Sequence, residues 1–350
     1  MGGLTSLIRF LLLVTIAASL SGCFYTQAAR GQLELMRKRE SIEELINDPD
    51  TSEELVARLK LVQEAREFSI AELGLPDNDS YRTYADLERD YVLWNVFAAE
   101  EFSMSPRTWC YPIVGCVSYR GYFKKDKAES LAQDLEDKDY DVYLAGVSAY
   151  STLGKFSDPV VNTMMNWNDS RLVAVLFHEL AHQVLYIRDD TGFNESFATT
   201  IEQFGIERFL EMRGTSSEFD AYLQEKGFRQ SIVDRVGEAR RELAVLFEQD
   251  IWPERMREQK REVFARLTED LRTLLTAAGR DADAWLERPF NNARVLSFAL
   301  YEGRVPAFEK MLADCAADLS CFYAEAERVS KFKREQRDDY LDSLMNVGAL

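Results

Sequence analysis

The chain has 350 residues, 46% hydrophobic and 29% charged, with 60 acidic against 42 basic side chains and a formal charge of −18. So acidic a surface repels phosphate backbones and anionic lipid headgroups, which excludes nucleic acid as a partner and electrostatic docking on a membrane. The length suits one large domain or two, and no Gly-, Ser- or Pro-rich stretch marks an internal linker.

Arg9 precedes an apolar stretch from Phe10 to Ala18 that closes in Leu20-Ser21-Gly22-Cys23. That order predicts a signal peptide over residues 1–22 with a lipoprotein cleavage box. Cys23 becomes the lipidated first residue of a mature chain, 23–350, read as one large domain. The apolar run is short for a membrane-spanning helix, and no later segment is long and apolar enough to be one. The lipid on Cys23 is therefore the expected membrane contact, followed by a short juxtamembrane linker. The expected location is the periplasm, and Phe24 in place of an aspartate after the cysteine favours the outer membrane by likeness to Gram-negative sorting rules.

Apolar residues at three- and four-residue spacing predict helices over Ile42 to Ala71, Ala128 to Lys138, Phe219 to Phe247 and Met256 to Ala278. Between them, Tyr91 to Phe102 alternates and is aromatic, Val114 to Phe123 is β-branched and aromatic, and Asp141 to Ser151 continues in that style. The expected class is mainly α with a small mixed β-sheet (α+β), the sheet lying just before the central helices. Apart from Cys23 there are four cysteines, Cys110, Cys116, Cys315 and Cys321. An oxidising compartment makes disulfides their natural state. Sequence proximity favours 110–116 and 315–321 among the three possible connectivities.

The only two histidines stand four residues apart in His178-Glu179-Leu180-Ala181-His182, an HExxH arrangement. On a helix, positions i and i+4 share a face, so both imidazoles can reach one metal ion while Glu179 flanks the water that ion acidifies. Asp169 or Ser170 can cap this helix, and its apolar residues run nearly all round, as in a buried helix. Two histidines and a glutamate inside so apolar an element need a reason, and a single Zn2+ supplies one. Zinc needs a third protein ligand, and with no further histidine it must be a carboxylate. Residues 188–192 read as a turn, after which a second helix opens at Asn194 and runs to about Arg213 before Gly214. Glu195, in its first turn, is the expected third ligand, with Asp189 and Asp190 as competitors in the turn. Glu179 is the expected general base.

This pattern resembles the gluzincins, in which HExxH on one helix is followed by a zinc-binding glutamate on the next. Asn194-Glu195-Ser196-Phe197-Ala198 is similar to the NExxA signature of their aminopeptidase branch, although the short separation of His182 and Glu195 demands a tighter connection. More closely, the chain resembles a family of bacterial lipoproteins described as predicted aminopeptidases. The resemblance lies in Tyr25-Thr26-Gln27-Ala28 with Gly31-Gln32, in Trp109-Cys110-Tyr111-Pro112 through Gly115-Cys116 to Tyr119-Arg120-Gly121-Tyr122-Phe123, in Asp158-Pro159 with Asn162-Thr163-Met164, in the two zinc helices, and in Asn291-Asn292-Ala293. It covers nearly the whole mature chain. It implies a zinc peptidase of the cell envelope acting on peptide substrates. It also implies an edge strand beside the zinc helix that takes the substrate backbone, for which 145–151 is the candidate. A tyrosine that stabilises the oxyanion is implied too: Tyr301 is preferred over Tyr150 and Tyr186, among 15 tyrosines. The acidic residue that would capture a free amine is not identified; Glu302 and Asp158 carry no assignment. The competing readings are a zinc endopeptidase and a non-catalytic envelope scaffold.

Overall fold

The computed structural model describes residues 24–111, 115–149, 151–152, 154–298 and 304–346. Cys23, Tyr150, Tyr301 and Glu302 lie outside them.

A first helix, α1 (24–37), packs along the sheet rather than forming a linker. Gln27 donates to Gly121 O at 3.3 Å and accepts from Phe123 N at 3.2 Å. A Cβ at Gly31 would stand 2.0 Å from Phe123 Cγ, so only glycine lets the helix approach this closely. There follow β1 (Arg39–Ser41), α2 (Ile42–Asn47), α3 (Glu53–Ala71), β2 (Thr83–Ala85), β3 (Leu93–Glu100), β4 (Trp109–Tyr111), β5 (Gly115–Val117), β6 (Arg120–Tyr122), α4 (Lys125–Glu136), β7 (Tyr140–Val147), β8 (Val160–Val161), α5 (Asn162–Met165), α6 (Asp169–Val184), α7 (Thr191–Arg213), α8 (Ser217–Phe247), α9 (Pro253–Ala277), α10 (Ala282–Leu286), α11 (Asn292–Phe298), α12 (Val305–Asp314), α13 (Leu319–Ser330) and α14 (Arg334–Asn346). The fold is mainly α with small sheets. Among the described residues no helix is long and apolar enough to cross a membrane.

The strands divide among three small sheets. β6-β3-β7 is antiparallel, with Val96 opposite both Arg120 and Leu144. β1-β2-β8 is mixed, β2 running parallel to β8. β4 and β5 form a separate hairpin closed by the Cys110–Cys116 disulfide, and Cys315–Cys321 joins the end of α12 to α13. The helix expected over Ile42 to Ala71 is broken at 48–52, where Ser52 caps α3.

The largest core gathers α3, α6, α7, α12, α13 and α14. At its centre Phe177 of α6 packs against Phe68 and Phe209, with ring centroids at 5.8 and 6.0 Å. Gly205 of α7 faces the same ring: a Cβ there would lie 2.8 Å from Phe177 Cδ2 and 2.6 Å from Leu73 Cδ1. The absence of a side chain sets how closely α7 lies on α6. A second core joins α8, α9 and α11, and a third fills the space between the β3 sheet and α4.

Candidate metal centre

α6 is capped by Asn168, whose side chain accepts from Arg171 N, so Asp169 is its first residue rather than its cap. The helix ends where Leu185 turns extended, and a short loop returns the chain to α7. Buried Asn194 holds that loop at one point from both sides. Its Oδ1 accepts from Ile187 N at 2.8 Å and its Nδ2 donates to Ile187 O at 2.7 Å. Asp190 caps α7 by accepting from Phe193 N and pairs with buried Arg337 of α14 at 2.5 Å. α7 thus opens at Thr191, three residues before the expected Asn194, because the Asp190 cap outweighs the turn character of Gly192. Glu195 therefore sits in the second turn rather than the first.

The antiparallel return brings His178, His182 and Glu195 together, with one ligating atom from each within 4.8 Å of the others. His178 Nε2 and His182 Nε2 are 3.1 Å apart, and Glu195 oxygens lie 3.2 Å from the first and 3.7 Å from the second. Ligands about 2.0–2.1 Å from a tetrahedral zinc stand about 3.3 Å from one another, so the three donors fit one ion. Two imidazoles and a carboxylate are also the set that leaves a fourth position open. Of the competing carboxylates, Asp189 is exposed beside Arg188 and Asp190 is engaged by Arg337.

Behind His178 stands a residue the sequence reading missed. Glu202 Oε2 is 2.9 Å from His178 Nδ1, and Tyr222 of α8 donates its hydroxyl to Glu202 Oε1 at 2.5 Å. Carboxylate–histidine–metal chains of this kind fix the ring's tautomer and orientation. Glu202 lies seven residues after Glu195 on the same helix, and that two-turn offset was the available signal.

The electrostatics follow from burial and these pairs. Burial alone would lower the His178 pKa, but its hydrogen bonds to Glu195 and Glu202 raise it to about 10. Burial and the charge on His178 lower His182 to about 4. Burial acts to raise Glu195 and Glu202, yet the hydrogen bonds to His178 hold both below the ordinary carboxylate value. Glu179, partly buried, is shifted upward by desolvation, with His178 opposing and the charges of Glu195 and Asp158 adding. A carboxyl raised toward neutrality beside a metal-ligand set is suited to taking and returning a proton.

Tyr186 packs edge-on to His182 at 6.2 Å between centroids and is half exposed, while Tyr301 and Tyr150 fall outside the described residues. Asp158 is fully buried and accepts from Thr152 N and Oγ1, so it does not face a substrate amine.

No curated protein and no solved structure matches the chain. A family model described as "Putative aminopeptidase" matches residues 23–341. With nearly the whole chain covered, the chain belongs to the putative aminopeptidase family.

Proposed function

We propose that the protein is a zinc-dependent aminopeptidase of the cell envelope, anchored by a lipid on Cys23. The observation that carries the reading is the convergence of His178, His182 and Glu195 with Glu179 on the same helix. One further observation supports a metal there: His178 Nε2 and His182 Nε2 face each other at 3.1 Å, an arrangement that a shared cation satisfies. When bound, zinc supplies a Lewis acid that polarises the scissile carbonyl and acidifies water.

The remaining steps belong to the chain's own residues. Glu179 takes the proton of the attacking water and passes it to the leaving amine. Glu202 and Tyr222 hold His178 in its ligating orientation. β7 is an edge strand whose end leads toward Ser151, whose hydroxyl lies 3.4 Å from Asp158 Oδ2. Its outer carbonyls at Val142 and Leu144 are already occupied by Asn291 and Arg288. Among the described residues no such side-chain partner meets the last residues of the strand, which supports engagement of a short peptide stretch there and exopeptidase rather than endopeptidase action. The Leu20-Ser21-Gly22-Cys23 sequence and a family match that starts at residue 23 support the lipoprotein reading. The periplasmic face of the outer membrane is the proposed location.

The test is incubation of the fragment beginning after Cys23, zinc-loaded, with a mixed peptide library read by mass spectrometry, beside Glu179→Gln. Stepwise loss of N-terminal residues with wild type alone is expected. Internal cuts would make it an endopeptidase, and identical profiles with zinc bound would leave the scaffold reading.

A further inference from the structure

The side of α1 that faces away from the protein is apolar. Inward, Gln27, Gly31 and Leu35 succeed one another at four-residue spacing, with Gly31 and Leu35 buried and Gln27 bonded to the sheet. Two residues away along the chain, and so about 200° around the axis, Tyr25, Ala29 and Leu33 form the opposite stripe. All three are exposed, Tyr25 by 46% and Leu33 by 43%. Arg30 and Arg37 stand exposed beside them, and the helix's one carboxylate, Glu34, is paired with Arg89 at 3.0 Å. An exposed leucine standing alone needs no explanation, but an apolar stripe at helical spacing does.

The start of the stripe is built from residue types that favour a bilayer interface. The Phe24 ring stacks on Tyr111, Tyr25 meets the same Tyr111 ring edge-on at 6.3 Å, and the Arg120 guanidinium lies 4.3 Å from the Phe24 centroid. Tyrosine joins an apolar body to a polar tip, and arginine lays its stem along apolar surface while its head stays in water. From Phe102 to Lys125, the stretch that holds Tyr111 and Arg120, the sequence has no Asp or Glu, although 60 of the 350 residues are acidic. The formal charge of −18 supplies no attraction to anionic headgroups, and this acid-free end is where the protein repels them least.

We propose that the outer side of α1, with the Phe24–Tyr111–Arg120 cluster at its start, is a bilayer-contact surface: Tyr25, Ala29 and Leu33 lie among phospholipid headgroups and the upper acyl carbons, with the helix in the plane of the interface. The inference rests on the reading of Cys23 as lipidated. Cys23 directly precedes Phe24, so the lipid and the start of the helix enter the interface together, and an in-plane helix buries its apolar side about 5–10 Å deep. The β4–β5 hairpin that carries Tyr111 also reaches the α6–α7 loop, because a Cβ at Gly115, the ladder partner of Tyr111, would stand 3.1 Å from Asp189 Oδ1. The contact surface is thereby joined, through one hairpin, to the loop between His182 and Glu195.

The test uses the mature acylated protein in phosphatidylcholine vesicles whose acyl chains carry bromine near the headgroup, where it quenches tryptophan fluorescence at short range. Tyr25→Trp and Leu33→Trp each put an indole on the stripe, and Val245→Trp puts one at an exposed position of α8. The emission added by the two α1 substitutions should fall about twofold relative to unbrominated vesicles, and that added by Val245→Trp should not change. Equal quenching in all three variants would overturn the proposal. So would unquenched α1 variants in a protein that mass spectrometry shows to be acylated at Cys23, an outcome that would leave the stripe to a protein partner. A chain recovered without the acyl group is a separate result, and it removes the lipid anchor and this surface together.

Discussion

Replacing Glu202 tests whether the carboxylate behind His178 belongs to the metal centre. It contacts His178 Nδ1 at 2.9 Å and the Tyr222 hydroxyl at 2.5 Å, with 17% of its side chain exposed. Loss of an outer-shell partner of a ligating histidine lowers metal affinity about 10- to 100-fold, or about 1.4–2.7 kcal/mol. Glu202→Gln keeps an acceptor and removes the charge, so the lower end applies. Glu202→Ala leaves Nδ1 and the Tyr222 hydroxyl without their partner in a buried place, so the upper end applies. Zinc affinity is measured by competition with a chelator of known affinity at fixed pH, with Glu195→Ala as the variant that loses a ligand. Wild-type affinity in Glu202→Ala, alongside a collapse in Glu195→Ala, would refute the reasoning and reduce Glu202 to a packing residue.

Zinc uptake should release a proton at neutral pH, because metal-free His178 holds one up to about pH 10 and a ligating imidazole must give it up; calorimetry in buffers of different ionisation enthalpy measures this. In the metal-free protein the stabilisation from that raised pKa is complete below the unfolded value of about 6.5 and is lost as pH climbs toward 10, so its Tm should fall across that window. Asp190→Ala removes the α7 cap and leaves Arg337 buried without its anion, and urea unfolding should show a loss of about 3–5 kcal/mol. Gly31→Ala drives a methyl into Phe123 and should destabilise by about 1–3 kcal/mol, whereas Gly227→Ala, with nothing within 4 Å, should be neutral or stabilising in the same assay.

The group that could hold a metal was legible because a four-residue spacing on one helix and a carboxylate on the next element suffice to suggest it. Glu202 was not, since its offset from Glu195 gains meaning only once α7 is known to lie along α6. Tyr222 reaches Glu202 from α8, and no local spacing records that. The segments that carried the family resemblance prove largely architectural. Gln27 and Gly31 seat α1, Asn162 bonds Leu87 N and Arg89 O, and Asn292 Nδ2 gathers the carbonyls of Glu100, Glu101 and Ser103. Such residues mark a family without revealing their task, because their partners are distant backbone atoms. The mixed sheet was expected in the region just before the central helices α6 and α7. The mixed pairing belongs instead to β1, β2 and β8, strands of two or three residues, too short to show any alternation.

The seating of α1 bears on where such an enzyme can work. The helix is underway at Phe24, whose ring stacks on Tyr111 at 5.2 Å and meets Tyr122 at 5.7 Å. Many anchored proteins reach outward on a flexible leash whose span grows with the square root of its length. An acyl chain on Cys23 would have no leash at all: one peptide unit would separate the lipid from a helix locked to the sheet. The catalytic body could not sweep through the surrounding space, and its substrates would be those delivered to the membrane surface.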